Sequence, residues 1–412
     1  MARSLSLRAG ALCIVLAGAF FLITATTFAS LGVILPAMIA EFQWSWGTAG
    51  LGFTMLALLT GVFSPIAATS LERLGARFHY ALGGAVVVAG HLTLSYAQSV
   101  GAYLVATSLL GAGFALLANV PGTYIVARAT ALKWRNIAIG LYLAAGGAGG
   151  VAGPLMANAL LQSGADWRAY WFASALAIAA AAALIVLLAD PKLAHGPGTH
   201  SGAEAEPEEN QHTDWSARAA MSTPAFAIIC AALTVAYFCG VTVSTWSVAH
   251  LEKTGLATSF AVAMFSLYSG LNAGARALGG WLVKRVSARA LLVCAMASNA
   301  VGMSALAFAG SPALAVIFAV FDGFAFGMAM FATTALLIEY FGLKNSPALL
   351  GGVNLAATIA MLGPTIAGWS ADHWQSFSPI FMIYAGAALV AAIFVATMPA
   401  PENAPKAEPA PA

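Results

Sequence analysis

The chain has 412 residues, of which 61% are hydrophobic and only 8% are charged, and its formal net charge is +2. A soluble globular domain carries roughly 25% charged residues, so this composition excludes an ordinary soluble protein and predicts an integral membrane protein. The small net charge, with no basic patch in the sequence, gives no indication of a nucleic-acid partner.

Twelve stretches are long and apolar enough to cross a bilayer as helices, because a spanning helix needs about 20 apolar residues. The N-terminal stretch begins with Arg3 and Arg8, as a signal peptide would, but its uncharged part is too long for one, so we interpret it as the first span. In chain order we predict spans at residues 10–38, 47–70, 79–98, 101–128, 135–162, 168–190, 223–250, 259–285, 289–310, 313–341, 347–371 and 376–399.

The distribution of Lys and Arg predicts the orientation of these spans, because cytoplasmic loops carry an excess of both. With both termini in the cytoplasm, 14 of the 17 basic residues fall on the cytoplasmic side and only Arg168 and Lys253 on the outer side. The remaining one, Arg276, lies within a span. We therefore expect a multi-pass protein with cytoplasmic termini.

Residues 191–221 interrupt the apolar pattern with Pro, Gly and a cluster of glutamates. Such a segment cannot bury apolar surface, so it predicts a cytoplasmic linker, with a short surface helix near Trp215. It separates an N-terminal six-helix bundle at residues 1–190 from a C-terminal six-helix bundle at residues 222–400, and residues 401–412 read as a disordered tail. The predicted fold class is an all-α integral membrane protein with twelve transmembrane helices in two six-helix pseudo-repeat bundles.

The two halves share local sequence patterns at matching positions. Residues 72–77 (ERLGAR) follow span 2 and residues 284–289 (KRVSAR) follow span 8, while a Gly-Pro pair occurs in both span 5 and span 11. Parallel six-helix halves with a substrate site between them are the architecture of one large class of transporters. Two interpretations of the charged residues in these loops are open. They form charge-assisted hydrogen bonds that close the cytoplasmic face in one state, or they only determine the orientation of the spans in the membrane. The gating candidates are Glu72, Arg73, Arg77, Lys133, Arg135, Lys284 and Arg285.

Residues 72–77 resemble the loop between helices 2 and 3 of the major facilitator superfamily, with Ala68 and Glu72 in place of its usual glycine and aspartate. Residues 41–45 (EFQWS), 133–140 (KWRNIAIG) and 166–168 (DWR) resemble the bacterial monocarboxylate transporters and the related oxalate:formate antiporter. The resemblance covers nearly the whole chain except the linker and the tail. It implies alternating-access transport of a small monocarboxylate across a bacterial inner membrane, with an arginine in span 8, here Arg276, as the substrate-binding residue.

Arg276 stands in an otherwise apolar run, and a guanidinium at the centre of a bilayer costs about 2.5–3.5 kcal/mol. It lies about 12 Å from the cytoplasmic end of its helix. Three interpretations are open: the side chain reaches the interface, it pairs with Asp322, or it faces a water-filled cavity that binds a transported anion. Guanidinium matches a carboxylate bidentately, which favours the third. Asn272 precedes Arg276 by one helical turn and is expected to help orient the carboxylate.

Animal monocarboxylate transporters have an aspartate paired with this arginine and a lysine in helix 1, whereas this chain has Asn272 and no lysine in span 1. Proton coupling therefore needs another titratable group, and the candidates are Asp322, the only acid well inside a span, and His250 at the end of span 7. Span 11 also lacks the cation that the related antiporter uses for oxalate, which argues against a dicarboxylate substrate.

In this architecture helices 1, 4, 7 and 10 line the cavity, and these spans supply further candidates for substrate binding. Ordinary packing is the competing interpretation for each of them. They are Phe28, Asn119, Tyr124, Trp246 and Phe324, together with Tyr384 in span 12.

The sequence thus favours a secondary transporter of lactate or pyruvate type, with proton symport as the preferred coupling. The alternatives are an organic-anion exchanger of the oxalate:formate type and a non-transporting membrane sensor of the same fold. No enzyme motif occurs, so we expect no catalytic residue, no cofactor and no metal. The expected partners are a small monocarboxylate, a proton and membrane lipid, and we expect a monomer.

Overall fold

The computed structural model describes residues 2–189, 215–342 and 345–399, and within these ranges the secondary structure is helical, without strands. Most of the predicted linker and the whole predicted disordered tail lie outside the described residues. The N-terminal part contains α1 (Ala2–Thr24), a π-helical turn (Ala25–Ala29), α2 (Ser30–Phe42), α3 (Trp46–Ser95), α4 (Val100–Leu117), α5 (Asn119–Ala129), α6 (Leu132–Gln162) and α7 (Trp167–Leu188).

The remaining helices follow the predicted linker. They are α8 (Ala217–Met221), α9 (Pro224–Lys253), α10 (Thr258–Leu282), α11 (Ala288–Ala307), α12 (Pro312–Phe341), α13 (Ser346–Ala357), a 3₁₀ turn (Thr358–Leu362), α14 (Gly363–Trp374) and α15 (Ser378–Thr397). Each predicted span corresponds to one of these helices, to part of one, or to two consecutive helices. Among the described residues, eleven helical segments are long and apolar enough to cross a membrane, and α10, which carries Arg276, is outside that set. The twelve-helix fold class is confirmed.

Two local breaks distinguish the helices from the predicted spans. Spans 2 and 3 form one continuous helix, α3, broken only at Gly75, whose φ of 76° and ψ of 158° lie in a region that glycine alone adopts readily. Span 4 is divided at Ala118 (φ −95°, ψ −134°), three residues before Pro121. Proline is tolerated in the first turn of a helix but not in its interior, so the chain starts a new helix there.

The helices pack as two groups, α1–α7 and α9–α15, joined through a limited set of contacts. The short helix α8 packs on α9 and α13. Just before it, the Trp215 backbone N–H donates to the Phe341 carbonyl at 3.3 Å, and the two rings meet edge to face. The described end of the predicted linker is therefore attached to the C-terminal half.

The sequence repeat is matched by a repeated contact. Arg77, which follows span 2, donates from Nε to the Ala189 carbonyl at the end of α7, at 2.8 Å. Arg289, at the equivalent position after span 8, donates from Nε to the Val395 carbonyl near the end of α15, at 3.0 Å. Cations at helix C-termini are stabilised by the unpaired carbonyls there. In each half, the same arginine thus fixes the end of the last helix.

The two halves contact each other closely at the end opposite these arginines. The Asp372 carboxylate of α14 accepts the backbone N–H groups of Trp46 and Gly47, the first residues of α3, at 2.8 and 2.9 Å. Further along the same interface, the hydroxyls of Thr54 and Thr365 lie 2.8 Å apart. We refer to this end of the protein as the Asp372 end, and to the opposite end, which carries Arg77 and Arg289, as the linker end.

At the linker end, the helices pack within their own halves. The segments α1 and α5 pack on other helices of the N-terminal half, and α13 packs on α8, α9 and α12 of the C-terminal half. The structure therefore has the interface between the halves closed at the Asp372 end.

Candidate functional site

Arg276 faces away from the apolar surface of its own helix. Leu267, Leu278 and Trp281 are the exposed large apolar residues of α10. At about 100° per residue, they lie on one side of the helix and Arg276 lies on the opposite side. The Arg276 side chain is nevertheless exposed. It is therefore exposed to the space on the side of α10 opposite the exposed apolar residues, and extension of the side chain to the membrane interface stays an alternative prediction.

That space is bounded by both halves of the protein. On one flank of Arg276, Ala273 lies against Gly147 of α6, which belongs to the N-terminal half. On the other flank, Asn272 lies against Gly327 of α12, where any side chain at 327 would collide with the Asn272 carbonyl. Small residues allow such close helix contacts in membranes. Arg276 consequently lies in the crease between the two bundles.

The guanidinium has one hydrogen bond to a neighbouring side chain. Its Nε donates to the Asn272 Oδ1 at 3.3 Å. Among the described residues, the ion pairs are those of Arg168 with Glu41 and with Asp166. Arg276 therefore has no acid partner in the described part of the chain. The alternative pairing with Asp322 is contradicted, because neither Asp322 oxygen has a hydrogen-bond partner in the described part of the chain. The two terminal nitrogens of Arg276 are therefore available to a bidentate anion.

Two tyrosines near Arg276 were not singled out from the sequence. Tyr237 of α9 and Tyr268 of α10 both interact electrostatically with the guanidinium. Tyr268 is two helical turns before Arg276 and one turn before Asn272, so its spacing on α10 is the signal that could have identified it. Both tyrosines belong to the C-terminal half, where Tyr268 is buried in the core and Tyr237 is partly buried.

The two candidates for proton coupling lie in the C-terminal half. Asp322 of α12 is fully buried, and Gly302 of α11 packs directly against it. His250 of α9 is also buried, and its Nε2 is 2.8 Å from the Leu306 carbonyl of α11, with Phe381 packed edge to face on the ring. The structure thus places His250 in packing between helices, away from Arg276, and its role in proton coupling stays a prediction.

The remaining candidates for substrate binding divide into two groups. Phe28, in the π-helical turn, is half-buried against Phe114, with ring centroids 5.0 Å apart. Tyr124 of α5 accepts a hydrogen bond from Arg128 at 2.6 Å, and Phe324 of α12 is half-buried against the core of its half. These three keep partly exposed side chains, whereas the side chain of Asn119 lies outside what the structure describes.

The second group is buried away from the crease. Trp246 of α9 donates from Nε1 to the Pro364 carbonyl at 2.8 Å, and its ring meets Trp46 edge to face at the Asp372 end. Tyr384 of α15 packs against Phe238 within the C-terminal half. In this conformation neither side chain is exposed to the crease, so neither can contact a substrate there.

The gating candidates lie at the linker end, and their described contacts are within their own halves. Arg77 binds the end of α7 as above, Arg135 donates to the Ala127 carbonyl at 3.0 Å, and Arg285 lies over the Trp281 ring at 4.4 Å. Arg73 and Lys284 are exposed. The side chains of Glu72 and Lys133 lie outside the described residues. Gating by this group stays a prediction.

The structure shows a different contact between the halves, which sequence reasoning missed. Besides Asp372, Lys253 of α9 lies with its Nζ 4.7 Å from the Trp46 ring centroid. Both partners come from the C-terminal half and act on the first turn of α3. Across the described residues, no group of three or more His, Cys, Asp or Glu side chains could hold a metal ion.

Two six-helix halves are closed on each other at one end, and the cation in the crease between them has no acid partner among the described residues. These features define a polytopic membrane protein built like a secondary transporter. The Major Facilitator Superfamily model matches residues 15–296 and 252–412. The chain belongs to this superfamily, whose members are transporters. No curated protein matches the chain.

Solved structures share the fold at low identity. A bacterial homologue of the human lysosomal transporter Spinster, in an inward-facing and unoccupied conformation, has a TM-score of 0.71 and 16% identity, covering 94% of this chain and 95% of that chain. The nucleoside transporter NupG, in a point-mutant form, has a TM-score of 0.72 and 14% identity, covering 94% of this chain and 99% of that chain. At such identities, the likeness establishes the fold alone.

Proposed function

We propose that this protein is a secondary transporter of small monocarboxylates of the lactate and pyruvate type, working by alternating access, with proton symport as the favoured coupling. The observation that carries the proposal is the Arg276 guanidinium, which faces the crease between the halves and has no acid partner among the described residues. A single fixed cation suits a substrate of one negative charge.

The neighbouring groups support a carboxylate in particular. With Nε bonded to Asn272, the terminal nitrogens of Arg276 form a planar pair of donors that matches the two oxygens of a carboxylate. Tyr237 of α9, which is only partly buried, adds an aromatic side chain near the guanidinium. A small apolar acid with one additional oxygen, such as lactate, fits this combination of one cation, one amide and an aromatic ring.

The setting in the cell follows from the sequence and remains part of the proposal. The excess of Lys and Arg in the loops at the linker end places that end and both termini in the cytoplasm. The closed Asp372 end then faces outward, and the described conformation is open to the cytoplasmic side. We place the protein in a bacterial inner membrane.

Uptake of labelled lactate into proteoliposomes tests the proposal. Wild-type protein should accumulate lactate when an inward proton gradient is imposed. Arg276→Lys keeps the charge but loses the planar donor pair, and a hydrogen bond to a charged group is worth about 1.5–3 kcal/mol, so half-saturation should rise by about 10- to 100-fold. Arg218→Lys, the same substitution on the exposed helix α8, is the matched control and should transport normally.

Other outcomes would select the alternatives. Lactate entry only against a preloaded anion would identify an exchanger. Binding without movement of any organic acid would identify a sensor. Full transport by Arg276→Lys at unchanged half-saturation would contradict the bidentate role of Arg276, whatever the substrate.

A further inference from the structure

A group of buried polar side chains lies inside the C-terminal half, apart from the crease. Asp322 of α12, Asn299 of α11, Cys239 of α9 and Tyr268 of α10 are all buried. Within the described residues, both oxygens of Asp322, both amide atoms of Asn299 and the Tyr268 hydroxyl have no hydrogen-bond partner. Buried polar groups are nearly always paired, so a cluster of unpaired ones in a single core indicates a function.

These side chains converge on Asp322 from three neighbouring helices. α11 approaches Asp322 so closely at Gly302 that a Cβ added there would collide with the Asp322 backbone and Cβ. The Cys239 thiol of α9 lies beside Asn299 and interacts electrostatically with Asp322. Tyr268 of α10 interacts with Asp322 and also with Arg276. Tyr268 lies on α10 two helical turns before Arg276, and its backbone packs against Gly323, the residue after Asp322, so it adjoins the buried acid on the helix that carries the cation.

The surroundings of Asp322 decide its charge in this conformation. An ionised carboxylate without a partner is very costly in an apolar interior, and such a group takes up a proton instead. The titratable groups facing it are the Tyr268 phenol and the Cys239 thiol, both neutral in ordinary conditions, and α11 contributes the neutral Asn299. Among the described residues, no basic side chain forms a hydrogen bond or an ion pair with Asp322. Asp322 is thus a carboxylic acid here.

We propose that Asp322 is the proton-binding site of the transport cycle and that Tyr268 couples it to Arg276. The inference rests on the proposed function and adds the location of the proton. The positive charge of Arg276 makes the proton on Asp322 easier to lose while Arg276 is empty than when a carboxylate occupies it. A carboxylate on Arg276 cancels that charge, so the Asp322 oxygen retains or takes up a proton more readily. By linkage, protonation of Asp322 strengthens carboxylate binding by the same factor, on the order of 5- to 150-fold.

The geometry also separates the two ligands. The anion binds in the crease, where both halves contribute, whereas the proton resides within the C-terminal half. Asn272 does not take this role, because its amide cannot titrate. His250 is bonded to the Leu306 carbonyl near the C-terminal end of α11, two helical turns beyond Asn299, and is not adjacent to Tyr268 in the described contacts. Asp322 is therefore assigned the proton in preference to His250.

Proton uptake on substrate binding tests this assignment directly. In weakly buffered detergent solution, addition of lactate to the wild type at a pH where Asp322 is partly ionised should consume about 0.4 to 0.85 of a proton per bound carboxylate, the maximum for a 5- to 150-fold coupling. Asp322→Asn, which has nearly the same shape, should bind lactate without consuming protons. Asp166→Asn, an exposed acid, is the matched control and should behave as the wild type.

Transport assays give the second readout. In proteoliposomes, Asp322→Asn should lose accumulation driven by a pH gradient by at least tenfold while retaining exchange of lactate for lactate, and Tyr268→Phe should slow the driven uptake with exchange intact. Undiminished pH-driven accumulation in Asp322→Asn would overturn the assignment, as would wild-type binding of lactate with no proton uptake. If Asp322→Asn cannot be purified, proton uptake by the wild type and pH-driven uptake by Tyr268→Phe still test the assignment of the proton to Asp322. Failure of the wild type to bind any monocarboxylate would instead refute the proposed function.

Discussion

The Asp372 carboxylate holds the first turn of a helix in the opposite half of the protein, accepting the Trp46 backbone N–H at 2.8 Å. The same carboxylate accepts the Gly47 N–H, so it satisfies two of the donors that a helix N-terminus leaves unpaired. Because donor and acceptor belong to different halves, this cap must break whenever the Asp372 end opens. It is therefore a contact specific to one conformation.

We expect Asp372→Asn to favour opening of the Asp372 end. Asn keeps one acceptor oxygen but turns an amide NH₂ toward the second backbone N–H, so one hydrogen bond to a charged group is lost. Such a bond is worth about 1.5–3 kcal/mol, which raises the open fraction by about 10- to 150-fold. The measurement is the labelling rate of a cysteine introduced at the buried Thr54, with an impermeant maleimide and the four native cysteines replaced.

The matched control for this experiment is Asp166→Asn. Asp166 also caps a helix, accepting the Arg168 backbone N–H at 3.0 Å, but both residues belong to the N-terminal half. Its replacement should leave the labelling rate unchanged. Equal acceleration by both variants would show that the Asp372 cap does not control opening.

We expect Asn272→Asp to make anion binding depend strongly on pH. An ionised aspartate four residues before Arg276 would pair with the guanidinium and compete with the substrate. Lactate affinity should therefore fall at neutral pH and recover as the pH is lowered and the new acid is protonated. Binding titrations at several pH values measure this, with Asn272→Ala as the control that removes the amide without adding a charge. An affinity independent of pH in Asn272→Asp would contradict the contact between the two side chains.

Arg77→Gln and Arg289→Gln should destabilise the protein to a similar extent. Each removes a cation from the end of the last helix of its half, an interaction worth up to about 2 kcal/mol, so we expect the apparent melting temperature in detergent to fall by about 2–4 °C per kcal/mol. Arg73→Gln, at an exposed position nearby, serves as control. A large loss in only one of the two variants would show that the repeated contact is not equivalent in the two halves.

Gly75→Ala should also be destabilising, by about 1–3 kcal/mol, because Gly75 has a φ of 76° and a ψ of 158° that alanine adopts only with strain. Gly61→Ala is the matched control in the same helix. Nothing lies within 4 Å of a Cβ added at Gly61, so alanine should be neutral or slightly stabilising there. Thermal unfolding of both variants measures the difference, and equal melting temperatures would contradict the strain at Gly75.

The helices were predictable from the sequence because length and hydropathy decide them, whereas their breaks depend on local backbone geometry. Spans 2 and 3 were separated by a predicted loop, yet the chain needs only the single residue Gly75 to change direction there. The division of span 4 at Ala118 follows from Pro121, a local signal that the apolar pattern conceals.

The site was predictable in part. The position of Arg276 on α10, opposite the lipid-facing side, follows from the charge and the helical period. The carboxylate of Asp372 could not be connected to Trp46 in advance, because 326 residues separate them and only the packing of the two halves brings them together. For the same reason, the hydrogen bond from Trp246 to the Pro364 carbonyl at the Asp372 end could not be predicted from the residue pattern.

In the proposed cycle, the location of both Arg276 and Asp322 in the C-terminal half also limits which forms of the carrier can change orientation. With both ligands bound, or with neither, the cation, the acid and the cargo sum to zero charge, whereas a carrier holding only one of them bears a net unit charge through a low-dielectric barrier. Slippage should therefore be rare, and turnover electroneutral. Lactate added to protein on a solid-supported membrane should produce no steady current, and a sustained current would show that half-loaded carriers cross.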